Sequence, residues 1–309
     1  MIRNPGAQHS AVECRACYEE ATFFMSRIDA SFRVCALFGF PAHHSLGPAL
    51  HNAGFEALDL PLVYVAHDVE PARLAEAFAG ARALDYRGLS ITMPHKLAAL
   101  ALVDEVDDMA RAIGCINTVV MQDGRLRGTN VDGLGALAAL RQAGADPAGR
   151  RVLMLGSGGA ARALAITIGM AAKPAEMVIL GAIEDELARL ARDVAERTGC
   201  AVRAELLTEA SLAAGLGKAQ ILLHCTPVGM KPDSERTLVP RDRLRSDLAV
   251  FDAVYNPRRT LLLRDAAAAG CRVIEGTEMF LGQAALQFEL WTGKPAPKEI
   301  MHRVLDARL

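Results

Sequence analysis

The stretch RVLMLGSGGAARA, residues 151–163, decides how the chain is read. An apolar run, Val152 to Leu155, passes straight into Gly156, Ser157, Gly158 and Gly159, and an alanine-rich helical pattern opens at Ala160. A strand that turns through glycines into a helix is the setting of a dinucleotide fingerprint. The first glycine makes the tight turn, and the second lets the backbone approach a pyrophosphate at the positive end of the helix. The next apolar run, EMVILG (176–181), stands where the second strand of such a unit belongs, so Gly156, Ser157, Gly158, Gly159 and Ala160 are expected to meet the cofactor. After that strand an NAD site wants an acid for the ribose hydroxyls, and an NADP site wants an Arg for the 2′-phosphate. LGAIEDE supplies Glu184 and Asp185 and no base, which favours NAD over NADP with Glu184 as the ribose contact.

Working outward, QILLHC (220–225), LAVFDAVY (248–255) and CRVIEG (271–276) bring the strand candidates to five, enough for a Rossmann-type, doubly wound dinucleotide-binding domain over residues 133–276. Upstream, RVCALFGF (33–40), LVYVAH (62–67) and GLSIT (88–92) alternate with helical PALHNAGFEAL (48–58) and PARLAEAFAGARA (71–83). This alternation predicts a second α/β lobe with a mostly parallel sheet. HKLAALALV (95–103) and DDMARAIG (107–114) read as further helices, and NTVVMQDGRLRGTN (117–130) as a hairpin turning at Asp123-Gly124. The helical end, TEMFLGQAALQFELWTG (277–293) and PKEIMHRVLDAR (297–308), is expected to pack back on the first lobe. A substrate-binding domain of residues 33–132 and 277–309 follows, linked through GLGALAALRQAG (133–144) and preceded by an extension, residues 1–32.

A chain of 309 residues is long enough for two such lobes. Lys and Arg number 34 against 36 acids, a net charge of −2, so no global field draws in nucleic acid or an anionic membrane, and a small-molecule partner is expected. The most apolar window, residues 152–172, is broken by glycines and Arg162, which argues against a membrane span. The first residues lack the apolar run of a secretory signal, and seven scattered cysteines suit reduced thiols, so a cytoplasmic setting is expected. Cys14 and Cys17 of CRAC have no second pair to complete a metal site, and His43, His44, His95 and His224 read as structural; no metal is expected. A monomer or homodimer is expected.

One turn stands out in the first lobe. PAHHSLGPALHN (41–52) reads as a helix start, with Pro48 at the first helical position and Gly47 as a permissive cap. Polar side chains crowd backbone N–H groups that favour an anion there.

GFPAHHSLGPALHN, GLSITMPHK, GCINTV, GTNVDGLG, GSGGAARA, CTPVGM, DAVYNPRRTLLL and GTEMFLGQAALQFELWTG follow in this order over residues 39–293. As an ordered set they resemble the shikimate dehydrogenase family, which includes quinate/shikimate dehydrogenases. The resemblance implies that the first lobe binds a polyhydroxylated cyclohexene or cyclohexane carboxylate and the second a nicotinamide nucleotide, with hydride passing between them. It assigns Lys96 of P-x-K to the reacting hydroxyl and Asp132 as its partner. It puts Ser45, Gly47, Ser90, Thr92, Asn117, Tyr255 and Gln283 at the substrate, and Thr226 and Gly276 beside the dinucleotide. The chemistry supports the pair independently: oxidising a secondary alcohol requires removal of its proton, and a Lys beside a carboxylate can take it. Burial lowers that lysine's pKa and the acid raises it, with the balance open at this stage.

The departures are informative. The family's S-x-S-P is Ser45 and Gly47 here, so one hydrogen bond to the substrate carboxylate, worth ~1.5–3 kcal/mol, is missing and more room is left. Ser90 replaces the Asn of N-V-T, Val131 replaces the Thr of N-T-D, and Gly181, Ala182 and Ile183 replace the N-R-T that clasps a 2′-phosphate. These changes keep two alternatives open: a ligand-sensing homologue with little turnover, and a dehydrogenase acting on a different carbon skeleton.

Overall fold

The computed structural model describes residues 28–309. Cys14 and Cys17, and most of the expected extension 1–32, lie outside the described residues. The first sheet has the order β2-β1-β3-β5-β6-β4, built from β1 (Arg33–Gly39), β2 (Leu62–Asp68), β3 (Gly88–Ile91), β4 (Glu105–Val106), β5 (Thr118–Gln122) and β6 (Arg125–Thr129). β1 lies parallel to β2 and β3, while β5 runs antiparallel to both β3 and β6. The β5–β6 hairpin turns at Asp123 and Gly124, both at positive φ, as its sequence predicts. Helices α1 (Gly47–Ala57), α2 (Leu74–Ala83) and α3 (Asp108–Ile113) complete this lobe's layers.

The second sheet is all parallel, order β12-β11-β10-β7-β8-β9: β7 (Arg151–Leu155), β8 (Glu176–Gly181), β9 (Val202–Leu206), β10 (Ile221–His224), β11 (Ala249–Asp252) and β12 (Arg272–Ile274). Its order reverses at β7, the first strand of the lobe, which is where such sheets bind ligands. Helices α4 (Asp132–Gln142), α5 (Gly159–Ala171), α6 (Glu184–Thr198), α7 (Glu209–Lys218) and α8 (Leu261–Ala268) accompany it. The chain then returns through α9 (Gly276–Thr292) and α10 (Lys298–Asp306). The return is tight: Phe288 stacks on Phe55 at 5.3 Å, and the buried Trp291 donates its indole N–H to Val119 O at 3.0 Å.

Three local expectations are corrected. Residues 95–103 form only a short 3-10 turn, Ala98–Leu102, in which Ala99 is buried and Leu100 and Leu102 lie partly buried against the core, while Leu97 is 70% exposed. The second sheet has six strands rather than five; β9 is a half-exposed edge whose sequence, VRAEL, carries two charges. Helix α1 begins at Gly47 rather than Pro48, so Gly47 is its first residue and not its cap. No helix among the described residues is long and apolar enough to cross a membrane.

The lobes meet through three helices in near-backbone contact. A β-carbon on Gly133 of α4 would run into Thr167 of α5, and one on Gly135 would stand 2.7 Å from the Gln283 backbone N of α9. From the other side, a β-carbon on Gly282 would lie 2.9 Å from Gly135 O.

Candidate active site

Asp132 is the first residue of α4, and Lys96 lies in the loop after β3. Lys96 Nζ stands 2.6 Å from Asp132 Oδ2, with Asp132 buried and the lysine side chain 31% exposed. The other carboxylate oxygen, Oδ1, accepts from Asn117 Nδ2 at 2.8 Å. Burial pulls the Lys96 ammonium down, but the Asp132 charge and hydrogen bond outweigh it, so its pKa lies above the ordinary lysine value. The balance left open by the sequence is thereby decided: the resting group is an ammonium, set to donate a proton.

Asn117 is 3% exposed and its carbonyl oxygen accepts from Thr118 Oγ1 (2.7 Å) and Val131 N (3.0 Å). Both lone pairs are used, so the amide nitrogen must face Asp132. Asn130 Oδ1 accepts the Asp132 N–H at 3.1 Å and steadies the start of α4. Thr92 is half-buried at the end of β3, close against Gly39.

The carboxylate end differs from expectation. The room foreseen at Gly47 is not empty: a β-carbon there would stand 3.4 Å from the Tyr64 hydroxyl and 3.3 Å from Ser45 Oγ, which itself accepts the Gly47 N–H at 3.1 Å. Tyr64 is buried and hydrogen-bonded to Ser90, and burial pushes its phenol pKa up, so it stays neutral. Ser90 donates to Gln287 Oε1 at 3.2 Å. His51, stacked on Tyr64 at 4.5 Å, is held neutral by burial at a pKa of about 3, and its Nδ1 has no partner. Tyr64, His51 and Gln287 were not singled out by the sequence reading. Tyr255 is 41% exposed and stacks on Phe280 at 5.5 Å, while Gln283, half-buried on α9, faces the crossing with α4.

In the second lobe Gly156 has φ +111°, and a β-carbon would lie 2.7 Å from Cys225 O, so only glycine fits. Gly158 and Gly159 have nothing within 4 Å of a β-carbon position, and Ala160, the second residue of α5, is exposed. Open space before a helix N-terminus fits a dinucleotide pyrophosphate. Ser157 Oγ donates to Glu186 Oε2 at 3.2 Å, so the acid bonded to the glycine turn is Glu186, and Glu184 stands exposed two residues before it. Thr226 Oγ1, half-buried, lies 2.6 Å from His224 Nε2, and His224 Nδ1 lies 2.8 Å from Asp252 Oδ1, a buried pair that gives His224 its structural role. Gly276, the first residue of α9, is fixed by packing: a β-carbon would lie 2.7 Å from Asp252 O and Val254 O. His95 Nε2 meets Val69 O at 2.7 Å, and His43 pairs with Asp68 at 3.3 Å.

Comparison with known proteins decides the family. The shikimate dehydrogenase substrate binding domain matches residues 37–119, and the shikimate 5'-dehydrogenase C-terminal domain matches residues 276–305. The NADP(+) shikimate dehydrogenase of Moorella thermoacetica is 43% identical over 281 residues, 91% of this chain and 95% of that protein. The chain belongs to the shikimate dehydrogenase family. The NADP(+) enzyme of Methanopyrus kandleri is 44% identical and covers 90% of this chain and 96% of its own length. A crystal structure of the family from Listeria monocytogenes, in complex with shikimate and NAD, superposes with a TM-score of 0.87 at 34% identity, covering 90% and 98%. Family membership makes this an oxidoreductase acting on CH–OH groups with a nicotinamide cofactor.

Proposed function

We propose that the chain interconverts a secondary alcohol of shikimate, quinate or a close alicyclic hydroxy acid and the corresponding ketone. The observation that carries this reading is the 2.6 Å Lys96–Asp132 pair, held by Asn117 at the start of the helix that abuts the glycine-turn helix. Residues 33–132 and 277–309 form the substrate domain and residues 133–276 the dinucleotide domain. We infer a cytoplasmic setting from the scattered cysteines.

A bound nicotinamide dinucleotide supplies or accepts the hydride. Gly156 to Ala160, Thr226 and Gly276 would hold it. In the reducing direction Lys96, an ammonium beside Asp132, donates a proton to the oxygen that becomes the alcohol. In the oxidising direction the neutral amine receives that proton, and Asp132 stabilises the ammonium formed. Ser45 and the free N–H groups of α1 bind the carboxylate, while the neutral Tyr64 hydroxyl, engaged with Ser90, fills the room left beside Gly47. Thr92, Tyr255 and Gln283 orient the ring. Ser90 and Asn117, buried in hydrogen bonds to protein, act behind this surface.

The relatives' names carry NADP(+), and they weigh for NADP against the NAD expected from Glu184. One feature of this chain favours NAD as a second reading: Gly181 to Glu186 hold three acids and no base. Assaying both cofactors against a panel of alicyclic hydroxy acids tests both points. Turnover near the ordinary ~1–1,000 per second upholds the enzyme, and the cofactor with the larger kcat/KM decides between the readings. Binding without turnover of any panel member would overturn the proposal in favour of a ligand sensor.

A further inference from the structure

Gln287 is a carboxamide at a core position of α9, 5% exposed, four residues from Gln283 and four from Trp291. A lone amide among Phe288, Ala284 and Trp291 is costly to bury unless every polar atom is met. Each of its atoms is met, and the partners lead in one direction. Nε2 donates to Thr118 Oγ1 at 2.9 Å and to Asn117 O at 3.3 Å, and Oε1 accepts from Ser90 Oγ at 3.2 Å.

Donor and acceptor counting fixes the whole chain. With Nε2 set between two acceptors, the Thr118 oxygen accepts on that side and must send its own proton to Asn117 Oδ1. That oxygen also takes the Val131 N–H, so the Asn117 amide can only donate toward Asp132 Oδ1, which leaves Oδ2 for Lys96. On its other side the network runs through Ser90 to Tyr64 beside Gly47. A buried network satisfied at every member specifies one arrangement.

We propose that Gln287 is a positioning residue for the reacting pair: acting through Thr118 and Asn117, it fixes the direction in which Asp132 faces Lys96, and it joins that pair to the carboxylate pocket through Ser90. The inference rests on the proposed dehydrogenase reading for its kinetic consequence. Its geometric consequence does not depend on turnover.

The test uses the full chain with Gln287→Met, Gln287→Glu and, as a structural control on the same helix, Trp291→Phe. Gln287→Met removes the donors at similar length, and kcat is expected to fall about tenfold or more, the loss of one charge-linked hydrogen bond, with dinucleotide KM within twofold. In Gln287→Glu the acid is pushed up by burial and, while protonated, offers one donor and one acceptor in place of the amide. Its kcat relative to the wild type is therefore expected to decline as pH rises through the titration of the new acid, whereas for Gln287→Met that ratio stays flat until pH reaches its lowered Lys96 pKa. Trp291→Phe lowers Tm and keeps kcat. Independently of any substrate, 15N NMR of the lysine Nζ should find the Lys96 pKa lower in Gln287→Met than in the wild type, because Asp132 no longer faces it. An unmoved Lys96 resonance, or Gln287→Met with full kcat in an active wild type, would overturn the inference. An inactive wild type with the Lys96 shift present would overturn the dehydrogenase reading alone.

Discussion

On the substrate side the cleft is made of buried side chains, whereas on the dinucleotide side it is made of bare backbone. Ser90, Asn117 and Gln287 are each at most 5% exposed and bonded to one another, while Gly158 and Gly159 face open space with nothing near a β-carbon. A surface of backbone N–H groups accepts any pyrophosphate and is insensitive to what the rest of the lobe does. A surface of interlocked side chains is selective, and a change at one member is felt by the others. Beside Gly47 the room is taken up by the Tyr64 hydroxyl, and Ser90 is tied to Gln287 within the same network.

The strongest challenge to this contrast is Lys96→Ala, expected to lower kcat by about 100- to 10,000-fold with dinucleotide affinity unchanged by calorimetry. A parallel loss of dinucleotide binding would mean the two surfaces are not separate. Next is Asp132→Asn. Because Asp132 holds the Lys96 pKa up, ketone reduction in the wild type stays level through neutral pH and declines only as pH climbs through that raised value. Without the acid, burial dominates, and the break in the kcat/KM profile moves to lower pH by about one unit or more.

Much of this contrast is legible in the sequence. β7, β8, β10 and β11 are buried nearly throughout and so read as unbroken apolar runs, whereas β9, an edge strand spelled VRAEL, does not. Glycines at 156, 158 and 159 are legible because no other residue type serves a turn or an open cradle. Lys96 and Asp132 stand in short ordered motifs. Tyr64 sits in a strand run where an aromatic is ordinary, and its role appears only when α1 brings Gly47 across from it. Gln287 left a trace: Gln283, Gln287 and Trp291 recur every four residues on one face of α9, a polar residue where a core stripe calls for an apolar one.

The dinucleotide side can be sharpened in turn. Gly158→Val is compatible with the local φ of −74°, so it should leave Tm nearly unchanged and raise dinucleotide KM about tenfold or more by filling the cradle. A smaller effect is expected from Ala182→Arg, which restores a base beside the acids at the start of α6. It should raise kcat/KM for NADP relative to NAD by about tenfold, one charge-assisted hydrogen bond. An unchanged ratio would mean that residue 182 does not reach a 2′-phosphate. Least of all, Trp291→Phe forfeits the bond to Val119 O and costs about 1–3 kcal/mol, read as a fall in Tm of a few degrees.

The glycine crossing of α4 and α9 carries a last consequence. Where Gly135 meets Gly282, polypeptide rests on polypeptide, while Gly133 leans on the Thr167 side chain and Ala163 O of α5. The separation of α4 and α9 at this crossing is thus set by main-chain thickness and not by any exchangeable side group. Pocket residues are then free to be swapped for a ring of another shape while the reactive ends keep their spacing, so this scaffold lends itself to new substrates without loss of its chemistry.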